Sequence, residues 1–394
     1  MDGVYKTNWT RLSFTHRDCE AILYIFAPNQ AFSTTSDLIE VEPFNMSNST
    51  NLPKTFKAAV VTGQSQPLEI KEVPMLEPGV GEILLKVHAC GVCHSDHDVL
   101  TGGMGPPHVA RLGHEFVGTV VALGSTAGIP SKWQVGDLVG GAWHGGHDGH
   151  CRSCSRGDFQ MCTNKQINGV TRDGGYGQYA VLRAEAAVRL PRELAKEDLA
   201  QWAPMLCAGV TVFNGMRRMG VAAGDVVAVQ GLGGLGHLAV QYARKMGYRT
   251  VALSRGEDKR KFAMDLGAHD YIDTAAGDAA EELQKLGGAA LIVVTAPNPK
   301  AITPLIGGLA PRGTLLLHTA IGPVPVDTVS MVLNALTVRG WPSGHALDSE
   351  EAIQFARQNE VRCLVEKFPL EKANEAMEHM ISGKARFRAV LTMD

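Results

Sequence analysis

From Lys57 onward, apolar residues recur in short runs broken by glycine and proline, a strand-like texture. Lys57–Val61, Glu82–Ala89 and Glu115–Leu123 are such runs, and their number, with few helical stretches between them, predicts a compact β-rich domain. Near Asp225 the texture changes. Val226–Val229 is an apolar run that feeds a glycine turn, His237–Met246 has helical spacing, and Thr250–Leu253 is again strand-like. Leu291–Thr295 and Thr314–His318 repeat the theme. Strands alternating with helices predict βαβ units and a parallel sheet, so the chain reads as α/β. Beyond Trp341 come an amphipathic helix, Glu350–Gln358, and a last strand, Phe387–Leu391, with no repeat of solenoid period.

Residues 1–55 lack this periodicity and carry Ser, Thr and Asn clusters, notably Met46–Pro53. They predict a mobile extension, with Met46 as the expected natural start. The whole chain, at 394 residues, is comfortable as two domains. Its 45% hydrophobic and 20% charged residues are globular composition, and 44 glycines point to many tight turns. A net charge of −3 gives no reason to expect nucleic acid or an anionic membrane as partner. No apolar run reaches the roughly 18 residues of a membrane span. Ala21–Ala27 is far shorter and follows Arg17, Asp18 and Glu20, so it does not read as a secretory signal.

The eight cysteines are unevenly spread: Cys151, Cys154 and Cys162 cluster, with Cys90 and Cys93 upstream. Without a signal peptide this argues for metal before disulfides and for a reducing, cytoplasmic setting. The sequons at Asn8, Asn45 and Asn48 then carry no weight.

Gly231, Gly233, Gly234, Leu235 and Gly236 lie between a predicted strand and a predicted helix. In that setting the first glycine permits a tight turn, the second lets backbone amides approach a pyrophosphate, and the third lets helix and strand pack closely. The helix start then faces the phosphates. A purely structural turn is the alternative. At the end of the second strand an acidic residue would hold a ribose 2′-hydroxyl, but Ser254 stands there, followed by Arg255 and then Lys259. A small neutral residue followed by cations favours NADP over NAD; the bland alternative is that both cations are solvated. Val294, Thr295 and Ala296 end a strand at the face where a nicotinamide would lie.

Three further segments carry metal-type chemistry: Gly91–Asp96, containing Cys93, His94 and Ser95; Gly113–Glu115, containing His114; and Met205–Thr211, containing Cys207. In this order, with the glycine turn behind them, the chain from Lys57 to its end resembles the zinc-containing alcohol dehydrogenases of the medium-chain dehydrogenase/reductase superfamily. The resemblance implies a catalytic zinc on Cys93, His114 and Cys207, with Glu115 beside the metal as a transient ligand. Two thiolates, one imidazole and an open fourth position suit zinc acting as a Lewis acid that stabilises an alkoxide. The resemblance further implies that Ser95 contacts the substrate oxygen and opens a proton relay, that His94 neighbours the cofactor phosphates, and that Arg388 reaches the pyrophosphate. Many relatives place a relay histidine where this chain has Asp98; His97 is one position earlier and is a relay candidate or a packed residue.

The resemblance also implies a structural zinc in a lobe of spacing Cys-x2-Cys-x2-Cys-x7-Cys. Cys151, Cys154 and Cys162 match it, but Asp148 stands at the first position. A carboxylate is an acceptable zinc ligand, harder than a thiolate, and weaker binding is expected. His147 and His150 flank it as substitutes, and a loop without metal is the alternative. Met104 and Trp143 are implied to line the substrate cleft; a flexible thioether at Met104 leaves adaptable room, so substrates larger than ethanol are expected. The implied fold is a Rossmann domain at 206–340 with a GroES-like catalytic domain at 56–205, carrying the zinc lobe at 144–165, to which the chain returns over 341–394. Its partner is a small alcohol or aldehyde, and a homodimer or homotetramer is expected. A zinc-free quinone or enoyl reductase on the same fold, or a non-catalytic nucleotide-binding protein, are the rival readings; the retained ligands and glycine turn speak against both.

Overall fold

Leucine- and valine-rich runs in the first half pair edge to edge around one long strand, Glu82–Gly91 (β1), which buries Ile83, Leu85 and Val87 in an apolar cluster. The computed structural model describes residues 52–125, 131–320 and 322–393. The expected Met46 start, the sequons and nearly all of the predicted extension lie outside the described residues. The strand expected from Lys57 begins at Thr55 and pairs antiparallel with Glu69–Pro74.

β1 leads into helix α1, His94–Thr101, and pairs antiparallel with Phe116–Leu123 (β2). In order, the seven-stranded sheet runs Val365–Pro369, Arg388–Thr392, β1, β2, Leu138–Gly141 and Val188–Arg189, with Tyr179–Arg183 also paired to β1. Close packing decides residue size here. The Phe116 ring fills space that a side chain at Gly141 or Gly175 would need, with Cβ positions only 2.3 and 2.5 Å from it.

The second sheet has six parallel strands: Val226–Gln230 (β3), Arg249–Ser254 (β4), Asp270–Asp273 (β5), Ala289–Val294 (β6), Leu309–Leu317 (β7) and Thr337–Gly340 (β8). Their order is β5-β4-β3-β6-β7-β8, a doubly wound Rossmann arrangement whose winding reverses between β3 and β6, where such sheets bind ligands. Helix α2, Ala208–Arg217, and helix α3, Gly236–Lys245, cover it.

The return to the first sheet, expected from 341, is made at Val365. Helix α3 and helix α4, Ala346–Asn359, meet through Tyr242 Oη, which donates to Ala352 O at 3.0 Å. Thus α4 packs with the helices of the Rossmann half, and its Glu350 also accepts Arg189 N, on the last strand of the first sheet, at 2.9 Å. Arg217 of α2 reinforces this through Asp348 and Glu351. One apolar cluster joins Ala89, Val117 and Leu138 to Val227, Val229 and Leu291, so the two halves share a core. No helix among the described residues is long and apolar enough to cross a membrane.

Gly141→Ala forces a methyl group into the Phe116 ring and is expected to destabilise the fold by about 1–3 kcal/mol through overpacking. Urea unfolding measures this; an unchanged midpoint and slope would show that the strand yields freely.

Candidate metal centre and dinucleotide turn

Cys93 caps helix α1, and its backbone N–H donates to Asp96 Oδ2 at 2.9 Å. That one carboxylate organises the surrounding segments. Gly113 N and His114 Nδ1 reach Asp96 Oδ1, each at 3.1 Å, and Tyr176 Oη donates to Oδ2 at 3.2 Å. Oriented in this way, His114 presents Nε2 to the interior, where it has no hydrogen-bond partner. A buried ring nitrogen left unpaired is costly unless something else fills the role.

What surrounds it is a donor set. One ligand atom from each of Cys93, His114, Glu115 and Cys207 lies within 4.8 Å of the others. Gly91 makes room for Glu115, since a Cβ there would sit 2.0 Å from Glu115 Oε2. Cys207 comes from the start of α2, and its thiol hydrogen bond to Cys93 holds the Cys93 thiol well below its ordinary pKa and pushes its own well above. Burial drives the Glu115 carboxyl up to about 7 against the opposing pull of Arg388. Burial disfavours the His114 cation, but the charge and hydrogen bond of Asp96 outweigh it and hold the imidazole well above its ordinary value. Two thiols, an imidazole and a carboxylate, all buried except the partly exposed Cys207, suit zinc. The orphaned His114 Nε2 and Glu115 Oε2 mark where a cation fits.

Around this cluster, the Trp143 ring stands edge-on to His114, with centroids 4.9 Å apart. Ser95 Oγ lies 3.9 Å from Cys93 Sγ. His94 is exposed on the first turn of α1, and Met104 is 45% exposed on the loop beyond that helix. His97 is not packed away: its ring is partly exposed, 4.0 Å from Asp98. Asp96 and Tyr176 were not singled out from the sequence. The available signal was a carboxylate three residues beyond a helix-capping cysteine, because metal-bound histidines habitually donate their second N–H to a carboxylate.

The glycine turn follows β3. Gly231 has φ +95°, and a Cβ on Gly236 would lie 1.9 Å from Gly231 O, so helix and strand touch backbone to backbone there. Gly233 faces open space. At Gly234 a Cβ would meet Arg388 Cδ and Nη1 at 2.9 and 3.0 Å. Arg388 is buried, and its guanidinium donates to Glu115. A single side chain therefore touches both the turn and the candidate metal cluster. Leu235 precedes α3, whose N-terminus carries no side-chain cap. At the carboxyl ends of the central strands β3 and β6, Thr295 Oγ1 donates to Gln230 O at 2.8 Å, and Gln230 Oε1 accepts from Ala296 N at 3.1 Å, just beyond Val294. Ser254 is buried at the end of β4, Arg255 is exposed and Lys259 half-buried.

A second group forms in the 144–165 lobe: ligand atoms of Asp148, Cys151, Cys154 and Cys162 also lie within 4.8 Å of one another. The flanking histidines do not join it. His147 stacks on Phe159 at 4.2 Å and faces His144, 3.3 Å away, while the His150 side chain is 80% exposed. Neither histidine is a member of the group, although His150 Nδ1 lies 3.9 Å from Asp148 Oδ1.

Comparison with known proteins gives this geometry its context. Residues 79–192 match the alcohol dehydrogenase GroES-like domain, and residues 234–358 match the zinc-binding dehydrogenase domain. An alcohol dehydrogenase of Penicillium expansum, patD, is 53% identical over 86% of this chain and 98% of its own. This chain is a zinc-type alcohol dehydrogenase of the medium-chain dehydrogenase/reductase superfamily. A Geobacillus stearothermophilus alcohol dehydrogenase is 36% identical over 86% of this dehydrogenase and 100% of its own length. Among solved structures, cinnamyl alcohol dehydrogenase of Sorghum bicolor has a TM-score of 0.77 at 28% identity, covering 86% of this chain and 98% of that one. Acetophenone reductase of Geotrichum candidum, in complex with NAD, has a TM-score of 0.76 at 28% identity, covering 87% and 98%.

Asp96→Asn in this dehydrogenase keeps the shape but removes the charge that orients His114. Zinc affinity at the Cys93–His114–Cys207 group is expected to fall about 10- to 100-fold. Competition against a chromogenic chelator measures it; wild-type affinity in the variant would deny Asp96 this role.

Proposed function

We propose that Cys93, His114 and Cys207 hold a catalytic zinc with Glu115 beside it, and that this enzyme moves a hydride between an alcohol carbon and a dinucleotide seated on the turn from Gly231 through Gly233, Gly234 and Leu235 to Gly236. The observation that carries this reading is the convergence of the three ligands in one buried space, with a ring nitrogen left orphaned. A zinc ion there supplies Lewis acidity toward a negatively charged oxygen. A bound nicotinamide would supply the acceptor for the hydride that alcohol oxidation releases, and Ser95 would pass the accompanying proton toward solvent. The uncapped start of α3 offers backbone N–H groups to phosphate oxygens. Arg388 adds a cation at Gly234, and His94 lies on the phosphate side. Val294 and Thr295 back the nicotinamide. Asp148, Cys151, Cys154 and Cys162 hold a second, structural zinc.

Four finer features belong to the same reading. Ser254 stands where an acidic residue would hold the ribose 2′-hydroxyl and is followed by the cations Arg255 and Lys259, which favours NADP over NAD. Met104 and Trp143 border a cleft suited to substrates larger than ethanol, and two of the structurally similar enzymes are named for aromatic substrates, cinnamyl alcohol and acetophenone. On helix Thr328–Leu333, Val329, Val332 and Leu333 are 63%, 79% and 78% exposed, next in sequence to the edge strand β8. Exposed apolar side chains near an open sheet edge favour a homo-oligomer closed by a second copy. The unpaired cysteines fit a reducing, cytoplasmic setting.

The deciding experiment assays metal-stripped and zinc-reloaded enzyme against an alcohol and aldehyde panel with each dinucleotide. Activity lost on stripping and regained with zinc is expected, along with two zinc ions per chain by metal analysis, NADP preferred, and medium-chain, allylic or aromatic alcohols preferred to ethanol. Turnover that survives metal removal sinks the zinc reading, and a clear NAD preference sinks the 2′-phosphate reading.

Val332→Glu is expected to shift the protein to a smaller species by light scattering coupled to gel filtration. A wild-type monomer would refute the oligomer.

A further inference from the structure

His237 sits in the first turn of α3, fully buried, and both of its ring nitrogens are engaged. Leu364 N can only donate, so His237 Nε2 accepts its hydrogen bond at 3.3 Å. Nδ1 therefore carries the hydrogen and donates to Gly233 O at 3.1 Å, on the glycine turn. Burial holds this imidazole down to about 4, neutral, as that pattern requires.

The Leu364 carbonyl in turn accepts the backbone N–H groups of Phe387 and Arg388, at 3.0 and 3.1 Å. The His237 ring stacks on Phe387 at 5.0 Å with planes 19° apart, and Phe387 stacks on Phe262 at 4.7 Å and 14°. Hydrogen bonds thus run without a break from Gly233 through His237 and Leu364 to the backbone of Arg388, whose guanidinium ends on Glu115 and lies against Gly234. An ordinary core histidine has no need to join three segments as far apart in sequence as 233–237, 364 and 387–388.

We propose that His237 is a positioning residue for Arg388: it fixes the last strand to the glycine turn, so that the guanidinium stands where it meets both the dinucleotide phosphates and Glu115. This rests on the reading that the turn seats a dinucleotide. His237 itself touches neither substrate nor reacting atoms and acts only through Leu364, Phe387 and Arg388. Gln241, one turn further along α3, supplies an internal control. Its amide bonds both Arg362 N and Arg362 O at 2.9 Å, docking the same segment without leading to Arg388.

The test measures reduced-dinucleotide affinity by fluorescence on zinc-loaded full-length protein, with melting temperature and steady-state KM values alongside. His237→Phe keeps the ring and loses both hydrogen bonds; its dissociation constant and dinucleotide KM are expected to rise about tenfold while the alcohol KM holds. His237→Gln, whose amide oxygen reaches the Nε2 position, is expected to recover most of that loss. Gln241→Ala is expected to lower the melting temperature without changing affinity. Should His237→Phe fail to fold, Phe387→Leu removes the stacked ring while leaving the hydrogen bonds, and a weakened affinity is again expected. Variants that bind as tightly as wild type and differ only in melting temperature overturn the proposal. A wild-type protein that binds neither reduced dinucleotide overturns the underlying reading, and the proposal with it.

Discussion

Asp96, His114, Glu115 and Arg388 are sealed from solvent beside two thiols, and much of the surrounding architecture serves to keep their charges paired. A carboxylate deprived of its cation in such a place costs about 3–5 kcal/mol, more than most single contacts in a fold contribute. The solution is two interlocked pairs, Asp96 with His114 and Glu115 with Arg388. The partners of the second pair are 273 residues apart, so the catalytic sheet is electrostatically complete only when its last strand, Arg388–Thr392, has paired with β1. That strand therefore borders the candidate site, although Cys93, His114 and Glu115 all precede the Rossmann half.

The same pairing brings the two halves into register. Gly234 has no side chain, and the space is used by Arg388. Shared core packing through Ala89, Val117, Val227 and Val229 then prevents the turn and the metal cluster from drifting apart. Hydride transfer demands that reacting atoms be held within a few tenths of an ångström of a productive separation. A guanidinium in contact with both subsites is a direct way to transmit that constraint, because moving either side strains a buried ion pair.

Sequence pattern disclosed much of this and missed specific parts for physical reasons. The strands Glu82–Gly91 and Val226–Gln230 were legible because short apolar runs led into glycine. Helix Ala208–Arg217 was not. Its sequence, AGVTVFNGMR, has two glycines and two valines, poor helix formers, and nine of its ten residues are buried, so no polar face gives it a period. Cys93, His114 and Cys207 could be named from their segments, but the hub role of Asp96 depends on Gly113, His114 and Tyr176 folding back onto it. Likewise Arg388 could be noticed, whereas its pairing with Glu115 is a long-range contact that no local pattern encodes.

In the second cluster the loop itself orients the Asp148 carboxylate. Asp148 Oδ1 accepts the backbone N–H groups of His150 and Cys151, each at 3.0 Å, and Oδ2 accepts Asn164 Nδ2 at 2.7 Å. These bonds hold the carboxylate well below its ordinary pKa, with the Cys151 N–H foremost. The group is thus ionised and oriented before any metal arrives. Cys151 and Cys154 are unlike each other: backbone N–H groups of Cys154 and Thr163 bring Cys151 down to about 6, whereas burial and the Cys151 hydrogen bond push Cys154 up to about 12. Metal binding must displace the Cys154 proton, and that cost falls on the thiol whose neighbours already carry the negative charge. Under the proposed structural-zinc reading, a carboxylate pinned at three points in place of a flexible thiolate lowers the ordering cost of the fourth ligand, which offsets part of what is lost in softness of the donor.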